Sequence, residues 1–339
     1  MTQTLADLGE AELLQRLARF APPGQLEDDT AQLQQPTADL LINTDVLVES
    51  IHFSDATTAS TDVGWRAVAA NLSDLAASGV DQILGITVGL VAPAHTPWSW
   101  VEGVYSGIGS LLQDSGGVLL GGDCSQGPVR MLSITALGTL GTLRLHRSQA
   151  MPGDSIVVSG AHGLSRLGLA LLLKDPSLLG ITLPGSLREQ AIQQHQRPVP
   201  RLDALKSLVT CKPEQLPWRA GGTDSSDGLL QAIDCLCRSS GCGAVLDKTK
   251  LPQAEGWPDG PLWQQWCLSG GEDFELVVTL PAPWAKAWMD EQPSCRQVGV
   301  ITDQPQAIIW SDDNTPVVAE GFAHYGTSSA NKIPPIQGG

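Results

Sequence analysis

Six aspartates in this sequence stand where an apolar run ends or beside a turn of small residues. They lie in the segments EDDTAQL, LLINTDVLV, AANLSDLAASG, VLLGGDCS and GGTDSSDGLL. A carboxylate at the end of a buried element is costly unless a cation neutralises it. Carboxylate oxygens suit hard cations, and Mg²⁺ usually completes its coordination with substrate phosphates. The pattern therefore predicts magnesium-dependent phosphoryl transfer, with ligands at Asp29, Asp45, Asp74, Asp123, Asp224 and Asp227.

Glycines accompany several of these acids. Gly121 and Gly122 precede Asp123 at the end of an apolar run, and the segment 269–273, SGGED, repeats the arrangement before the run FELVVTL. Glycine lets a backbone approach a ligand closely. An ordinary turn with exposed acids explains either motif about as well.

The segment DSSDG precedes a predicted helix. Ser226 or Asp227 can therefore serve simply as the helix N-cap, the commonest role for these residue types. A cap accounts for one of the two carboxylates, Asp224 and Asp227, but not for both. The second carboxylate favours a metal site.

Three further positions are candidates for ligand contacts. Asn43, Thr44 and Asp45 place three oxygen-bearing side chains at one strand, which suits metal ligation better than a sheet interior. His52 is a candidate for contact with a substrate phosphate or hydroxyl, although a lone histidine is more often structural. Arg147 is a candidate partner for a nucleotide phosphate, with a surface salt bridge as the alternative.

Composition excludes several classes of partner. The formal net charge of −16 opposes binding to nucleic acid or to an anionic membrane surface. No segment approaches the run of about 18 apolar residues that a membrane span needs, and the start favours an amphipathic helix over a signal peptide. The seven cysteines include no C-x-x-C pair. Reduced thiols in a cytoplasmic protein are the expectation.

Periodicity predicts alternating strands and helices in both halves, and hence an α/β or mixed α+β fold. Strands are expected at 40–48, 83–92, 117–122, 131–140, 274–280, 296–302 and 306–310. Helices are expected at 10–20, 61–79, 98–113, 164–175, near 186–195, and at 201–209 and 227–241. The pattern restarts near residue 150, which predicts a domain boundary there. The segment 251–262 is expected to be a loop and 327–339 a disordered tail.

Taken in order, the motifs EDDTAQL, INTDVLVESIHF, AVAANLSDLAASG, LLGGDCSQGP, DSSDGLL and SGGEDFEL resemble those of thiamine-monophosphate kinases. The resemblance covers about residues 25 to 326. It implies transfer of the ATP γ-phosphoryl group to thiamine monophosphate, assisted by several Mg²⁺. It also implies two α/β domains as in aminoimidazole ribonucleotide synthetase. The first, 1–149, would bind ATP and metal and form a homodimer, and the second, 150–326, would complete the active site.

The resemblance also implies roles for individual residues. Asp45 and Asp123 would be the catalytic carboxylates. The implied metal ligands are Asp29, Asn43, Thr44, Asp45, Asp74, Asp123, Asp224 and Asp227, the nucleotide contacts Gly122, Asp123, Arg147, Ser226 and Tyr105, and the substrate contacts His52, Glu272 and Phe322.

Two alternatives stay open at this point. One is another ATP-dependent synthetase of the same fold, of the aminoimidazole ribonucleotide or selenophosphate type. The selenophosphate type would want a reactive cysteine near the N-terminus, whereas the first cysteine here is Cys124. The other is a non-catalytic nucleotide-binding protein, which would not need the full set of acids.

Overall fold

The computed structural model describes residues 3–26, 30 and 37–318. Within these residues the chain forms two compact units. The first contains residues up to Asn71 together with Asp81–Thr139, and the second contains Leu72–Val80 and the residues from Leu140 onward. This division falls earlier in the chain than the predicted break at 149/150. Asp29, Phe322 and the expected disordered tail 327–339 lie outside the described residues.

The first unit is built on a four-stranded sheet with the order β1-β4-β2-β3. Strands β1 and β4 pair antiparallel, whereas β2 and β3 pair parallel. The elements are α1 (Leu5–Leu17), β1 (Leu40–Val48), α2 (Ser60–Ser78), β2 (Val80–Ala92), α3 (Trp98–Ser115), β3 (Val118–Gln126) and β4 (Met131–Leu140). The end of α2, from Leu72 onward, belongs to the second unit.

Helix α1 begins at Leu5, before the predicted start at residue 10. Thr4 explains the difference, since its Oγ1 accepts from the backbone N–H of Asp7, and the Asp7 carboxylate accepts from the Thr4 N–H at 2.9 Å. This reciprocal capping satisfies two N–H groups at the helix start.

Helices α2 and α3 cross at small residues. A Cβ on Gly64 of α2 would lie 1.9 Å from the carbonyl oxygen of Val104, and one on Gly107 of α3 would lie 1.8 Å from that of Thr61. Only glycine permits so close an approach of the two backbones. The crossing therefore fixes α2, which carries Asn71 and the predicted ligand Asp74.

The second unit is built on a six-stranded sheet with the order β10-β7-β9-β5-β8-β6. Strands β5, β6 and β8 are buried along their whole lengths. The elements are β5 (Ser155–Val158), α4 (Leu164–Leu172), α5 (Gly185–Gln196), α6 (Leu202–Thr210), β6 (Gly221–Asp224), α7 (Leu229–Ser240), β7 (Gly243–Leu246), α8 (Pro261–Ser269), β8 (Leu276–Leu280), α9 (Ala282–Glu291), β9 (Arg296–Thr302) and β10 (Ile308–Trp310).

The tryptophan pair of α9 is part of the core of the second unit. Trp284 and Trp288 have no exposed surface. Their Nε1–H groups donate to the carbonyl oxygens of Leu208 and Ala204 in α6, at 2.9 and 3.1 Å. The pair therefore ties α9 to α6 through one buried helical face.

Candidate active site

Asn71 joins strand β1 to helix α2 in the first unit. Its Oδ1 accepts from Asn43 Nδ2 at 3.1 Å and from the backbone N–H of Asp45 at 3.2 Å. Its own Nδ2 donates to the carbonyl oxygen of Ala67 at 2.8 Å, and its side chain is fully buried. Asn71 thus fixes the two candidate ligands of β1, a role that the sequence analysis missed. Its position three residues before Asp74 was the available signal.

Thr44 projects from the opposite face of β1, because successive strand residues alternate. Its Oγ1 lies 2.7 Å from Oγ1 of Thr135, the residue paired with it on β4. The Thr44 hydroxyl therefore lies on the other face of the strand from the side chains of Asn43 and Asp45. The implied role of Thr44 as a metal ligand stays a prediction.

His52 lies in the turn after β1, and its imidazole has a defined orientation. Its Nδ1 accepts from the backbone N–H of Val48 at 3.0 Å, and its carbonyl oxygen accepts from Nη2 of the buried Arg66 at 3.0 Å. An accepting Nδ1 assigns the proton of the neutral ring to Nε2. His52 can therefore offer a hydrogen-bond donor to a phosphate oxygen.

Strand β3 carries the GGD motif. A Cβ on Gly122 would lie 2.0 Å from the carbonyl oxygen of Val88 on β2, so the sheet itself requires glycine there. A Cβ on Gly121 would have nothing within 4 Å among the described residues, and Asp123 is exposed. The open space beside Gly121 and the exposed carboxylate of Asp123 leave room for a ligand.

Tyr105 of α3 is only 3% exposed, and its ring centroid lies 5.6 Å from that of Phe20. Burial raises the pKa of its phenol, and the charge of Cys124 adds to the effect. Cys124 follows Asp123, so Tyr105 lies near the end of β3. Its burial leaves little of the side chain available to a nucleotide.

Asp224 ends strand β6 and is the most buried of the described candidate ligands, at 5% exposure. Its Oδ2 accepts from Ser73 Oγ at 2.8 Å and its Oδ1 from Ser226 Oγ at 3.0 Å. Burial raises the pKa of Asp224, while these hydroxyls and the charge of Arg147 act in the opposite direction. A bound cation would further offset the cost of this buried charge.

Helix α7 does not use the predicted side-chain cap. It begins at Leu229 with Gly228 at the cap position, without a side-chain hydrogen bond. The interpretation of Ser226 or Asp227 as a simple N-cap is therefore wrong. Ser226 hydrogen-bonds Asp224 instead, and Asp227 is exposed.

Arg147 lies near Asp224. The surface salt bridge considered above as an alternative role for Arg147 does not form among the described residues. Its Nε donates to Thr223 Oγ1 at 3.1 Å, and its carbonyl oxygen accepts from Ser240 Oγ at 2.9 Å. Its side chain is exposed and can contact an anion.

Asp74 lies near the end of α2 and is half-buried. It belongs to the second unit, as Arg147 and Asp224 do.

The SGGED segment is not a turn of exposed acids. Asp273 is fully buried, and Glu275, just beyond it, is 8% exposed. Glu272 is half-buried, and its backbone N–H donates to the carbonyl oxygen of Ser226 at 2.7 Å. The structure therefore brings the candidate substrate contact Glu272 next to the loop of Asp224 and Asp227.

The candidate ligands among the described residues carry the oxygen donors that magnesium prefers, but they do not form a complete coordination shell by themselves. Within 3–26, 30 and 37–318, no three His, Cys, Asp or Glu side chains group closely enough to hold a metal ion. Oxygen donors such as Asp45, Asp123 and Asp224 are those that Mg²⁺ prefers, and this ion usually takes part of its shell from phosphates and water.

Comparison with known proteins decides the family. Residues 27–140 match the N-terminal domain of AIR synthase related proteins, and residues 151–311 match the C-terminal domain. A thiamine-monophosphate kinase of Prochlorococcus marinus is 55% identical over 313 residues, which are 92% of this chain and 94% of the relative. The chain belongs to the thiamine-monophosphate kinase family.

Solved structures of thiamine-monophosphate kinases share the fold. That of Stenotrophomonas maltophilia has a TM-score of 0.74 and 28% identity, covering 89% of this chain and 95% of its own. AaThiL complexed with AMPPCP and TMP has a TM-score of 0.73 and 27% identity, covering 96% of this chain and all of its own. These relatives confirm the two-domain α/β fold of the aminoimidazole ribonucleotide synthetase type and the expectation of an enzyme.

Proposed function

We propose that this enzyme transfers the γ-phosphoryl group of ATP to thiamine monophosphate and so forms thiamine diphosphate. The observation that carries the proposal is the likeness to AaThiL, a relative solved with an ATP analogue and TMP, over 96% of this chain. The identity of 55% to a thiamine-monophosphate kinase supports the same substrate pair. No feature of the described residues favours the synthetase or the non-catalytic alternative.

The proposed reaction is a direct in-line transfer, in which a phosphate oxygen of thiamine monophosphate attacks the γ-phosphorus of ATP. The second pKa of a phosphate monoester is about 6, so the nucleophile is largely ionised near neutral pH. The enzyme therefore needs no strong general base. Its main task is to hold two anions in line against their repulsion.

The candidate ligands would hold the ions that this task requires. We assign them to Asn43, Thr44, Asp45, Asp74, Asp123, Asp224 and Asp227, with Asp29 outside the described residues. Bound Mg²⁺ would supply positive charge that offsets the repulsion between the reacting phosphates. The assignment of Asp224 is supported by its burial and by the two hydroxyls that orient it.

The remaining assignments concern the two substrates. Gly122, Asp123, Arg147, Ser226 and Tyr105 would contact the nucleotide. His52 would donate from Nε2 to the phosphate of thiamine monophosphate, as its orientation supports. The Glu272 carboxylate would attract the cationic thiazolium ring, and Phe322, outside the described residues, would stack on it.

We also infer a homodimer formed through the first unit. One face of the edge strand β1 exposes Leu40, Ile42 and Val46, at 49, 67 and 42%. A row of exposed apolar side chains on a sheet face is typical of an interaction surface. A second copy of the same sheet would cover it, as the family resemblance implies.

The proposed location is the cytoplasm. All seven cysteines are free thiols, as expected in a reducing compartment. Among the described residues, no helix is long and apolar enough to span a membrane.

The reaction can be tested by following the label of [γ-³²P]ATP. We expect the label at the terminal phosphate of thiamine diphosphate, and none on protein that is quenched with acid during turnover. Removal of divalent metal with EDTA should abolish transfer, and added Mg²⁺ should restore it. Label trapped covalently on the protein would contradict direct transfer, and activity that survives complete removal of metal would contradict the metal assignments.

A further inference from the structure

The turn that carries Glu272 has an unusual backbone. Glu272 and Phe274 have φ angles of 64° and 53°, in the left-handed region that residues with a Cβ rarely adopt. Asp273 lies between them and is fully buried. Two such residues around one buried acid persist only where surrounding contacts hold them, and such strain clusters at functional sites.

Asp273 makes the contacts that hold this turn. Its Oδ2 accepts from the backbone N–H of Gly163 at 2.6 Å, and its Oδ1 accepts from that of Ser165 at 2.9 Å. Both donors belong to the start of helix α4, so the carboxylate caps that helix from a distant part of the chain. The carbonyl oxygen of Asp273 accepts from Gln194 Nε2 at 2.8 Å.

The same turn is bonded to the 224–228 loop. The Glu272 N–H donates to the Ser226 carbonyl oxygen at 2.7 Å, and Ser225 and Glu275 exchange two bonds, of 2.9 and 3.1 Å. A Cβ on Gly271 would lie 2.6 Å from the Ser226 carbonyl oxygen, so the two segments touch through backbone. Any movement of the turn therefore displaces Glu272 relative to the loop.

We propose that Asp273 is a positioning residue for recognition of thiamine monophosphate. By capping α4 it fixes the 271–275 turn and, through it, the Glu272 carboxylate against the 224–228 loop. This inference rests on the proposed function, because it assigns Glu272 to the substrate. Asp273 itself touches neither substrate.

The test compares the change in KM for thiamine monophosphate with the change in KM for ATP in the same variant. Asp273→Asn keeps the size of the side chain but replaces one of the two oxygens that accept from the α4 N–H groups with an amide nitrogen, which cannot accept. We expect the KM for thiamine monophosphate to rise about tenfold, the scale of one lost hydrogen bond. The KM for ATP should change by less than about twofold. Asp273→Ser, which retains a capping hydroxyl, provides a second neutral variant and should show the same split.

A double-mutant cycle tests whether Asp273 acts through Glu272. In the Glu272→Gln background, Asp273→Asn should cause little further rise in the KM for thiamine monophosphate, since the contact that it positions is already lost. Independent multiplication of the two effects would overturn the proposal. Equal rises in both KM values, in either single variant, would also overturn it and indicate general loss of structure.

Asp154 supplies the matched control. It is 4% exposed, accepts from the backbone N–H of Met151 at 2.9 Å and pairs with Arg219, all within the same unit. Asp154→Asn should lower the Tm without selectively raising the KM for thiamine monophosphate. Wild-type enzyme without ADP release dependent on thiamine monophosphate would refute the proposed function itself, a result distinct from failure of the cycle.

Discussion

At the scale of single residues, the carboxylates on β1 and β3 carry the proposed chemistry. Asp45→Asn and Asp123→Asn should each lower kcat by about 10² to 10³, the cost of deleting one electrostatic stabiliser of a transition state. Steady-state ADP release measures the loss, and circular dichroism should show an unchanged fold. The control is Asp81→Asn, an exposed acid of the same unit outside the site. Activity above a tenth of wild type in both variants would rule out the assignments.

His162 gives the second unit a predictable pH dependence. Its ring is fully buried, and burial lowers its pKa to about 4, against the opposing effect of the Gly160 carbonyl 3.1 Å from Nδ1. Between pH 4 and the unfolded value of about 6.5, the unfolded chain binds more protons than the folded one. The free energy of unfolding is therefore not reduced by His162 above that range. It falls as the pH decreases through the range, because the unfolded chain takes up the proton that the buried ring does not.

Urea unfolding can measure this loss. From pH 7 to pH 5, His162 should contribute about 2 kcal/mol to the fall in the free energy of unfolding. His162→Gln cannot gain that proton and should show a correspondingly flatter profile. The same pH slope in both proteins would show that other groups cause it.

The sequence singles out the candidate acids, whose roles stay predictions, but not most of the residues that hold them. Asp45, Asp123 and Asp224 stand out because a carboxylate beside an apolar run needs an explanation. Asn71 and Ser73 carry no such signal, since their roles depend on partners that only the fold brings near. Asp273 does stand before the apolar run FELVVTL, but its partners Gly163 and Ser165 are known only from the fold. Ser73 and Asp224 are the clearest case, with a hydrogen bond of 2.8 Å between residues far apart in the chain.

At the scale of elements, the crossing of α2 and α3 depends on glycine. Gly107→Ala would place a Cβ 1.8 Å from the Thr61 carbonyl oxygen, so the helices must separate. We expect a loss of about 1 to 3 kcal/mol in the free energy of unfolding. Gly109→Ala on the same helix is the control, because its Cβ meets nothing within 4 Å among the described residues. It should be neutral or stabilise by up to about 1 kcal/mol, and equal effects of the two changes would contradict this packing.

Elements with clear periodicity were predicted well. The strand at 40–48 and that at 131–140 have the bounds of β1 and β4, and 296–302 has those of β9. The four-residue strands β5, β6 and β7 were not identified. β6 also opens with Gly221 and Gly222, which propensity disfavours, although a Cβ on Gly222 would crowd Leu145 at 2.9 Å. Part of the expected loop 251–262 is the start of α8.

At the scale of the whole molecule, the exposed face of β1 predicts self-association. Ile42→Glu should convert the proposed dimer to a monomer, because each of the two symmetry-related copies of the chain would bury a glutamate charge in the interface. Sedimentation velocity measures the change. Leu179→Glu, at an 82% exposed apolar position of the second unit, should leave the dimer intact. A monomeric wild-type protein, or a dimer insensitive to Ile42→Glu, would contradict the assigned interface.

The central claim is that the acceptor is the ionised phosphate of thiamine monophosphate, bound by Mg²⁺ that the aspartates hold. The most direct measurement is ADP release from MgATP with thiamine monophosphate, thiamine or the aminoimidazole precursor as the acceptor. Free thiamine has an alcohol in place of the phosphate, so it offers neither the ionised nucleophile nor the oxygens that magnesium bridges. We predict stoichiometric release of ADP when thiamine monophosphate is the acceptor, and none with the other two acceptors. Efficient phosphorylation of thiamine itself, or release driven by the aminoimidazole precursor, would contradict the account.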